Sequence, residues 1–164
     1  MTRCGDVRLD ELFVKMRREG KRLTPQRLAI LRILASSDAH PTVHEVYDKV
    51  RIDFPTTSLA TVYATLAMLE ELDEVLILAF GDGSKHYDCK TPYPHPHVMC
   101  LECGKIADVE LPVFQDVSQQ VAERTGYQVV RHRLDFFGVC PSCSQRSFHQ
   151  PRSSLNMAAK KQGA

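Results

Sequence analysis

The sequence predicts an α+β fold built in two parts, four helices and a hairpin followed by a smaller α/β unit stapled by cysteines. Three observations carry this. Apolar residues recur at helical spacing from residue 8 to about residue 69. The pattern then changes to that of a hairpin. Finally, two Cys-x-x-Cys pairs, Cys100-Leu-Glu-Cys103 and Cys140-Pro-Ser-Cys143, bracket the C-terminal stretch.

The first helix spans residues 8–18, which put Leu9, Leu12, Phe13 and Met16 on one face, and Gly20 ends the run. Thr24-Pro25 opens a second helix, with Thr24 as N-cap and Pro25 at the first helical position. Its interior is Leu28, Ile30, Leu31, Ile33 and Leu34. Thr42-Val-His-Glu45 is a capping box for a third helix over residues 43–53. Ser58 caps a fourth, with Leu59, Val62, Leu66 and Leu69 at helical spacing. Residues 75–80 and 85–88 then read as the two strands of a hairpin about Gly81-Asp-Gly83. Helices followed by a hairpin in this order predict a winged helix-turn-helix, the fourth helix being the recognition helix and the hairpin the wing.

Pro92, Pro94 and Pro96 break the chain after the hairpin, because proline neither continues a helix nor donates to a sheet. The predicted organisation is a winged-helix domain at 1–88, a hinge at 89–96, a second domain at 97–147 and a disordered tail at 148–164. Within the second domain, residues 98–101 and 105–109 read as short strands around the first cysteine pair. Pro112 opens a helix that Gly126 stops, and residues 127–139 alternate like a strand running into the second pair.

Composition bounds the class. The chain has 164 residues, 43% hydrophobic and 25% charged, which is ordinary for a globular protein. No apolar run approaches the ~20 residues of a bilayer span, and residues 1–10 lack the apolar core of a secretory signal. The expected location is the cytoplasm, with no membrane partner. There, paired cysteines are metal ligands or redox thiols rather than structural disulfides. A net charge of +1 gives no global signal for nucleic acid. Locally, Lys15, Arg17, Arg18, Lys21, Arg22, Arg27 and Arg32 are opposed only by Glu19, a cluster able to meet phosphates.

The chemistry lies in two clusters of different character. Cys100, Cys103, Cys140 and Cys143 supply the four thiolates of a closed, structural Zn(II) site. His95 and His97 lie two apart in an extended segment and so point to one face. Asp108, five residues after Cys103, can return to that face. Asp88 near the wing and His40 ahead of the third helix complete a mixed nitrogen and oxygen set suited to Fe(II), Mn(II) or Zn(II). Spacing alone does not join His40 to His95. The same ion acting as a Lewis acid in a hydrolase is the alternative from another class.

The chain resembles the ferric uptake regulator (Fur) family of metal-dependent repressors. The resemblance rests on Leu23-Thr-Pro-Gln-Arg27, His40-Pro-Thr42, Ser58-Leu-Ala-Thr-Val-Tyr63, His95-Pro-His-Val-Met-Cys100, Cys103-Gly-Lys-Ile-Ala-Asp108 and Gly138-Val-Cys140 with Cys143. It implies a homodimer, the winged helix on double-stranded operator DNA and the second domain serving dimerisation. It also implies that the chain is not an enzyme. Asp108, where iron-uptake members usually carry Glu, is similar to the peroxide-sensing (PerR) branch, in which bound Fe(II) directs oxidation of a histidine ligand. By position those histidines are His40 and His95, and Mn(II) in the same site gives a repressor that responds poorly to peroxide. The implied regulatory ligands are His40, Asp88, His95, His97 and Asp108. Counting back six residues from His95 lands on Cys89, the residue of zinc-uptake members, so Cys89 stands as the alternative to Asp88. A zinc- or iron-uptake repressor is accordingly the alternative function. A further metal site of some relatives is expected to be absent, because Pro94, Pro96 and Gln115 occupy ligand positions and only His132 remains. On DNA, Ser58, Thr61 and Tyr63 would face the major groove, and Lys15, Arg18, Arg22 and Lys85 the phosphates. Ala64 occupies a place where relatives often carry Arg or Asn.

Overall fold

The computed structural model of the chain describes residues 4–81, 83–111 and 116–147. Four helices come first: α1 (Cys4–Arg18), α2 (Pro25–Ala35), α3 (Val43–Asp53) and α4 (Leu59–Glu71). Their boundaries are set by local chemistry. The Thr24 side chain accepts from the Arg27 amide at 3.3 Å. Thr42 and Glu45 form a reciprocal capping box, and Ser58 accepts from the Thr61 amide at 3.2 Å. The apolar faces meet in one core containing Leu12, Met16, Ile30, Leu31, Leu34, Val46, Val50, Val62 and Leu69, all essentially without exposure.

The hairpin β1 (Leu76–Ala79) and β2 (Lys85–Asp88) is antiparallel, with Ile77 opposite Tyr87 and Leu76 opposite Asp88. It is a shared wall. Alternate residues of a strand point to opposite faces. Ile77, Tyr87 and Cys89 therefore join the helical core, while Leu76, Leu78 and Phe80 join a second, smaller cluster with Met99 and Ile106.

The second sheet has the order β4 (Ile106–Asp108), β3 (His97–Cys100), β5 (Asp135–Gly138), β3 antiparallel to β4 and parallel to β5. The helix α5 (Val117–Thr125) connects β4 to β5 and ends at Gly126, whose φ of 73° is the left-handed C-cap conformation. A further helix, α6 (Pro141–Ser147), follows the sheet.

Two expectations change. The predicted strand at 127–139 shortens to Asp135–Gly138, because β3 offers only four residues for pairing and its first, His97, already faces Asp135. Upstream of it, Tyr127 and Val130 are exposed, so the alternation there buries no face. The helix α6 was not anticipated, although Pro141 directly after Cys140 is a helix-start signal. The expected helix start at Pro112 and the tail at 148–164 lie outside the described residues. No helix among the described residues is long and apolar enough to cross a membrane.

Candidate metal centres

The cysteine cluster is a consequence of sheet order. β3 and β5 are parallel neighbours, so both end at the same edge of the sheet. Cys100 pairs in register with Gly138, two residues before Cys140. The first Cys-x-x-Cys turn closes through the Gly104 amide on the Cys100 carbonyl at 2.9 Å, with Gly104 at φ 70°. The second forms the start of α6, where the Cys143 and Ser144 amides donate to the Cys140 carbonyl. Ligating atoms of all four cysteines lie within 4.8 Å of one another. Cys103 Sγ and Cys140 Sγ are 3.7 Å apart. A tetrahedral zinc–thiolate site with bonds of ~2.3 Å has edges of ~3.8 Å, so the spacing fits zinc. Backbone amides of Cys140 and Cys103 pull the Cys100 thiol down to about 6. Arg146, one helical turn after Cys143, donates to its sulfur at 2.8 Å. Sequence reasoning missed Arg146, and the unread start of α6 was the signal for it.

The second cluster draws on four segments. His97 and Asp108 face each other across the β3–β4 ladder, so their side chains share a face. His95 lies two residues before His97. Asp88 ends β2 on the face opposite the helical core. His40 sits in a left-handed turn at φ 48°, pinned to β2 where the Tyr87 amide donates to Pro41 and His86 Nδ1 meets the His40 carbonyl. Donor atoms of His40, Asp88, His95, His97 and Asp108 all lie within 4.8 Å of one another. Nε2 of His40 is 2.7 Å from Asp108 and 3.6 Å from Asp88. Nε2 of His95 is 3.3 Å from each carboxylate.

Those inward atoms are orphaned. Nε2 of His40, His95 and His97 and Oδ2 of Asp88 are buried and make no aligned hydrogen bond among the described residues, the 2.7 Å approach of His40 to Asp108 being a close contact without that alignment. Buried polar atoms are otherwise almost always paired, so a convergent unpaired set is what a metal centre requires. Two of the outward atoms are held, those of Asp88 and His95, while Nδ1 of His40 is buried without a partner among the described residues. Asp88 Oδ1 accepts from the amides of Lys90 (2.9 Å) and Thr91 (3.0 Å). His95 Nδ1 lies 2.8 Å from the Tyr93 carbonyl, which fixes the proton there and leaves Nε2 as a lone pair. Lys90 also pairs with Asp38, tying the turn after Asp88 to the loop that carries His40.

Charge within the cluster is divided. Burial and the neighbouring His95 and His40 push His97 down to about 4, so it is neutral and ready to ligate. Burial also disfavours charge on His40 and Asp88, but their mutual attraction and, for Asp88, the Thr91 amide outweigh it. His40 is raised and Asp88 lowered.

Cys89 is not part of the cluster. It is the next residue after Asp88 and points to the opposite face, into the helical core, where burial pushes its thiol up to about 12. A buried thiol of that kind is a poor ligand.

A family model described as the ferric uptake regulator family matches residues 18–137. The chain belongs to the ferric uptake regulator family. The peroxide-responsive repressor PerR of Staphylococcus aureus (strain USA300) is 38% identical over 138 residues, 84% of this chain and 93% of that protein. Among solved structures, a zinc-bound manganese uptake regulator shares 30% identity with TM-score 0.64, covering 80% of this chain and 98% of its own. The ferric uptake regulator of Helicobacter pylori has the same fold, with TM-score 0.71 and 24% identity, covering 88% and 97%.

In this Fur-family chain the expected DNA-facing residues divide. Arg22, Ser58 and Thr61 line one recess, together with Thr24, Gln26 and Arg27. Tyr63 and Lys85 line a second, between α4 and the hairpin. Tyr63 is 48% exposed, which removes core packing as its role. The Ser58 and Thr61 hydroxyls are 2.9 Å apart and serve the N-cap of α4. Ala64 is exposed beside Tyr63. Lys15 is engaged elsewhere. It pairs with Glu74 at 2.8 Å, at the junction of α1 and the hairpin, and lines neither recess. Lys21 likewise pairs with Glu71. Arg18 ends α1 and lines neither recess. Of the positions expected to have lost a further metal site, Pro94, Pro96 and His132 line one recess, where His132 meets Ser118 Oγ at 2.7 Å. Gln115 lies outside the described residues.

Proposed function

We propose that this chain is a metal-dependent repressor that binds operator DNA as a homodimer and senses hydrogen peroxide through oxidation of a histidine ligand. The observation that carries the reading is the convergence of three imidazoles and two carboxylates, with no thiolate, on one point, buried on the side of His40, Asp88 and His97 and exposed at Asp108. Such a hard donor set suits Fe(II) or Mn(II). The name of the Staphylococcus aureus relative supports the peroxide branch.

The Cys100, Cys103, Cys140 and Cys143 cluster holds structural Zn(II). Its closed coordination leaves no position for chemistry. The regulatory donors are His40, Asp88, His95, His97 and Asp108. Fe(II) held there would mediate transfer of one oxygen atom of hydrogen peroxide to an imidazole carbon, the other oxygen leaving as water, and Mn(II) would fill the same donors without that reactivity. His40 and Asp88 come from the winged-helix side of the 89–96 hinge, His95 from the hinge itself, and His97 and Asp108 from the dimerisation side. Holding both sets together favours the closed arrangement in which two α4 helices match a two-fold operator. Oxidation of His40 or His95 removes one donor and shifts the population toward an open form. His95 lies nearer solvent, with 13% side-chain exposure against 2% for His40.

The test is peptide mass spectrometry after brief peroxide treatment of Fe(II)-loaded protein, alongside operator binding. An addition of about 16 Da, one oxygen, on the peptide holding His40 or His95 is expected, with loss of DNA binding. An unmodified protein that leaves DNA only when zinc is withdrawn would make this a zinc-supply sensor instead.

A further inference from the structure

We propose that Arg8 is a positioning residue for the regulatory site, setting the Asp88–Thr91 turn by gripping the Cys89 carbonyl. The inference rests on the metal-site reading above. Arg8 lies near the start of α1, remote in sequence from every ligand. Its Nε donates to the Cys89 carbonyl at 2.7 Å. Its Nη2 donates to the Glu74 carboxylate at 2.6 Å and to the Glu74 carbonyl at 3.2 Å. Glu74 is held in turn by Lys15 at 2.8 Å. The side chains of Arg8 and Glu74 are both 12% exposed, so these bonds are made largely out of water.

The grip falls at the peptide that decides which way Asp88 points. On one side of it the Asp88 carboxylate binds the Lys90 and Thr91 amides through Oδ1 and turns Oδ2 into the cluster. On the other side the Cys89 thiol is sunk in the helical core. The Cys89 carbonyl between them is answered by Arg8. Without that donor a part-buried carbonyl loses its partner, and rotation of the peptide to recover one swings the Asp88 carboxylate. Only a guanidinium serves here, because two of its nitrogens must reach the carbonyl and Glu74 at once. Groups that orient a ligand in this way affect metal affinity by about 10- to 100-fold.

Two variants separate this role from a plain structural tie. Arg8→Lys keeps a cation beside Glu74 and loses the fork. Glu74→Gln removes the ion pair and leaves an oxygen for Arg8, so the carbonyl grip persists. Full-length protein is measured three ways: amide exchange in the metal-free state, zinc content, and Mn(II) titration. With Arg8→Lys, exchange at Lys90 and Thr91 accelerates while α4 amides stay protected. Zinc content is unchanged, and Mn(II) binds about 10- to 100-fold more weakly. With Glu74→Gln, the Lys90 and Thr91 amides and Mn(II) affinity stay near wild type. Wild-type exchange at Lys90 and Thr91 in Arg8→Lys overturns the proposal, as does an equal Mn(II) loss in both variants. If the wild-type protein takes up no Mn(II) at the cluster, the metal reading fails, and the exchange measurement still decides whether Arg8 sets the turn.

Discussion

Replacing Asp88 by Asn preserves shape and removes one charge from the regulatory cluster. The Asn oxygen can keep the bonds from Lys90 (2.9 Å) and Thr91 (3.0 Å), so the turn persists. The other carboxylate oxygen becomes an amide nitrogen aimed at Nε2 of His40 and His95, a donor that cannot ligate. Unit charges ~4 Å apart interact by about 1 kcal/mol in water and about 4 kcal/mol at the effective dielectric of a protein site, and a divalent ion doubles both. Water and the amide dipole offset part of this. The expected loss is about 2–4 kcal/mol, or roughly 30- to 1,000-fold in the Kd for Mn(II). The assay is Mn(II) titration against a chromophoric chelator, with zinc content measured in the same samples. Cys89→Ala is the paired variant. It removes a core sulfur with 1% exposure and costs about 1 kcal/mol of stability. Because the thiol faces away from the cluster, Mn(II) affinity stays within about two-fold of wild type. The reasoning is refuted if Cys89→Ala loses the metal and Asp88→Asn keeps it.

The remaining predictions concern protons, zinc and DNA. His40 is raised above its ordinary value of about 6.5, so its stabilisation of the metal-free protein is fully present below that pH and fades as pH rises through the folded value. Metal binding runs the other way, because it requires neutral His40. Mn(II) affinity should rise with pH as His40, raised above its ordinary range, loses its proton, with the released proton measured by calorimetry in two buffers, and His97, pushed down to about 4, is already neutral there. Cys143→Ser should lose zinc and melt the C-terminal part, since the smaller apolar cluster buries, among the described residues, only Leu78, Met99 and Ile106. A structural zinc supplies on the order of 10 kcal/mol, and zinc content with circular dichroism reports both effects. Tyr63→Ala should leave stability within about 0.5 kcal/mol and weaken operator binding, while Arg22→Ala lowers the salt slope of binding by about 1. Lys15→Ala should leave that slope unchanged because Glu74 already holds the side chain.

Local features were legible because their causes are local. The caps Thr24, Thr42 and Ser58 act on amides a few residues away, and the helices start where those residues stand. The two Cys-x-x-Cys turns are likewise short-range objects, as is the His95/His97 pair in extended backbone. The start of α6 was equally local, and Pro141 could have revealed it. The strand at 127–139 was overextended for the opposite reason. Alternation marks a strand only where a neighbour pairs with it, and β3 is four residues long.

By itself, then, the sequence determined the helical cores, the hairpin, the four thiols able to hold zinc and the kinds of donor in the mixed cluster. It could not choose between Asp88 and Cys89, because counting back six residues from His95 lands on Cys89 and Asp88 fits only with one extra residue in the proline loop. That choice belongs to the tertiary structure. The hairpin is a wall with the helical core on one face and the metal cluster on the other, and adjacent residues of a strand must face opposite sides. Once Tyr87 is buried in the core, Cys89 joins it there and Asp88 is turned to the histidines. The meeting of His40 with His95 was decided in the same way, by β2 pinning one segment and β3 and β4 presenting the others. Contacts between residues far apart in the chain carry no periodicity, so only the packed structure could bring them together.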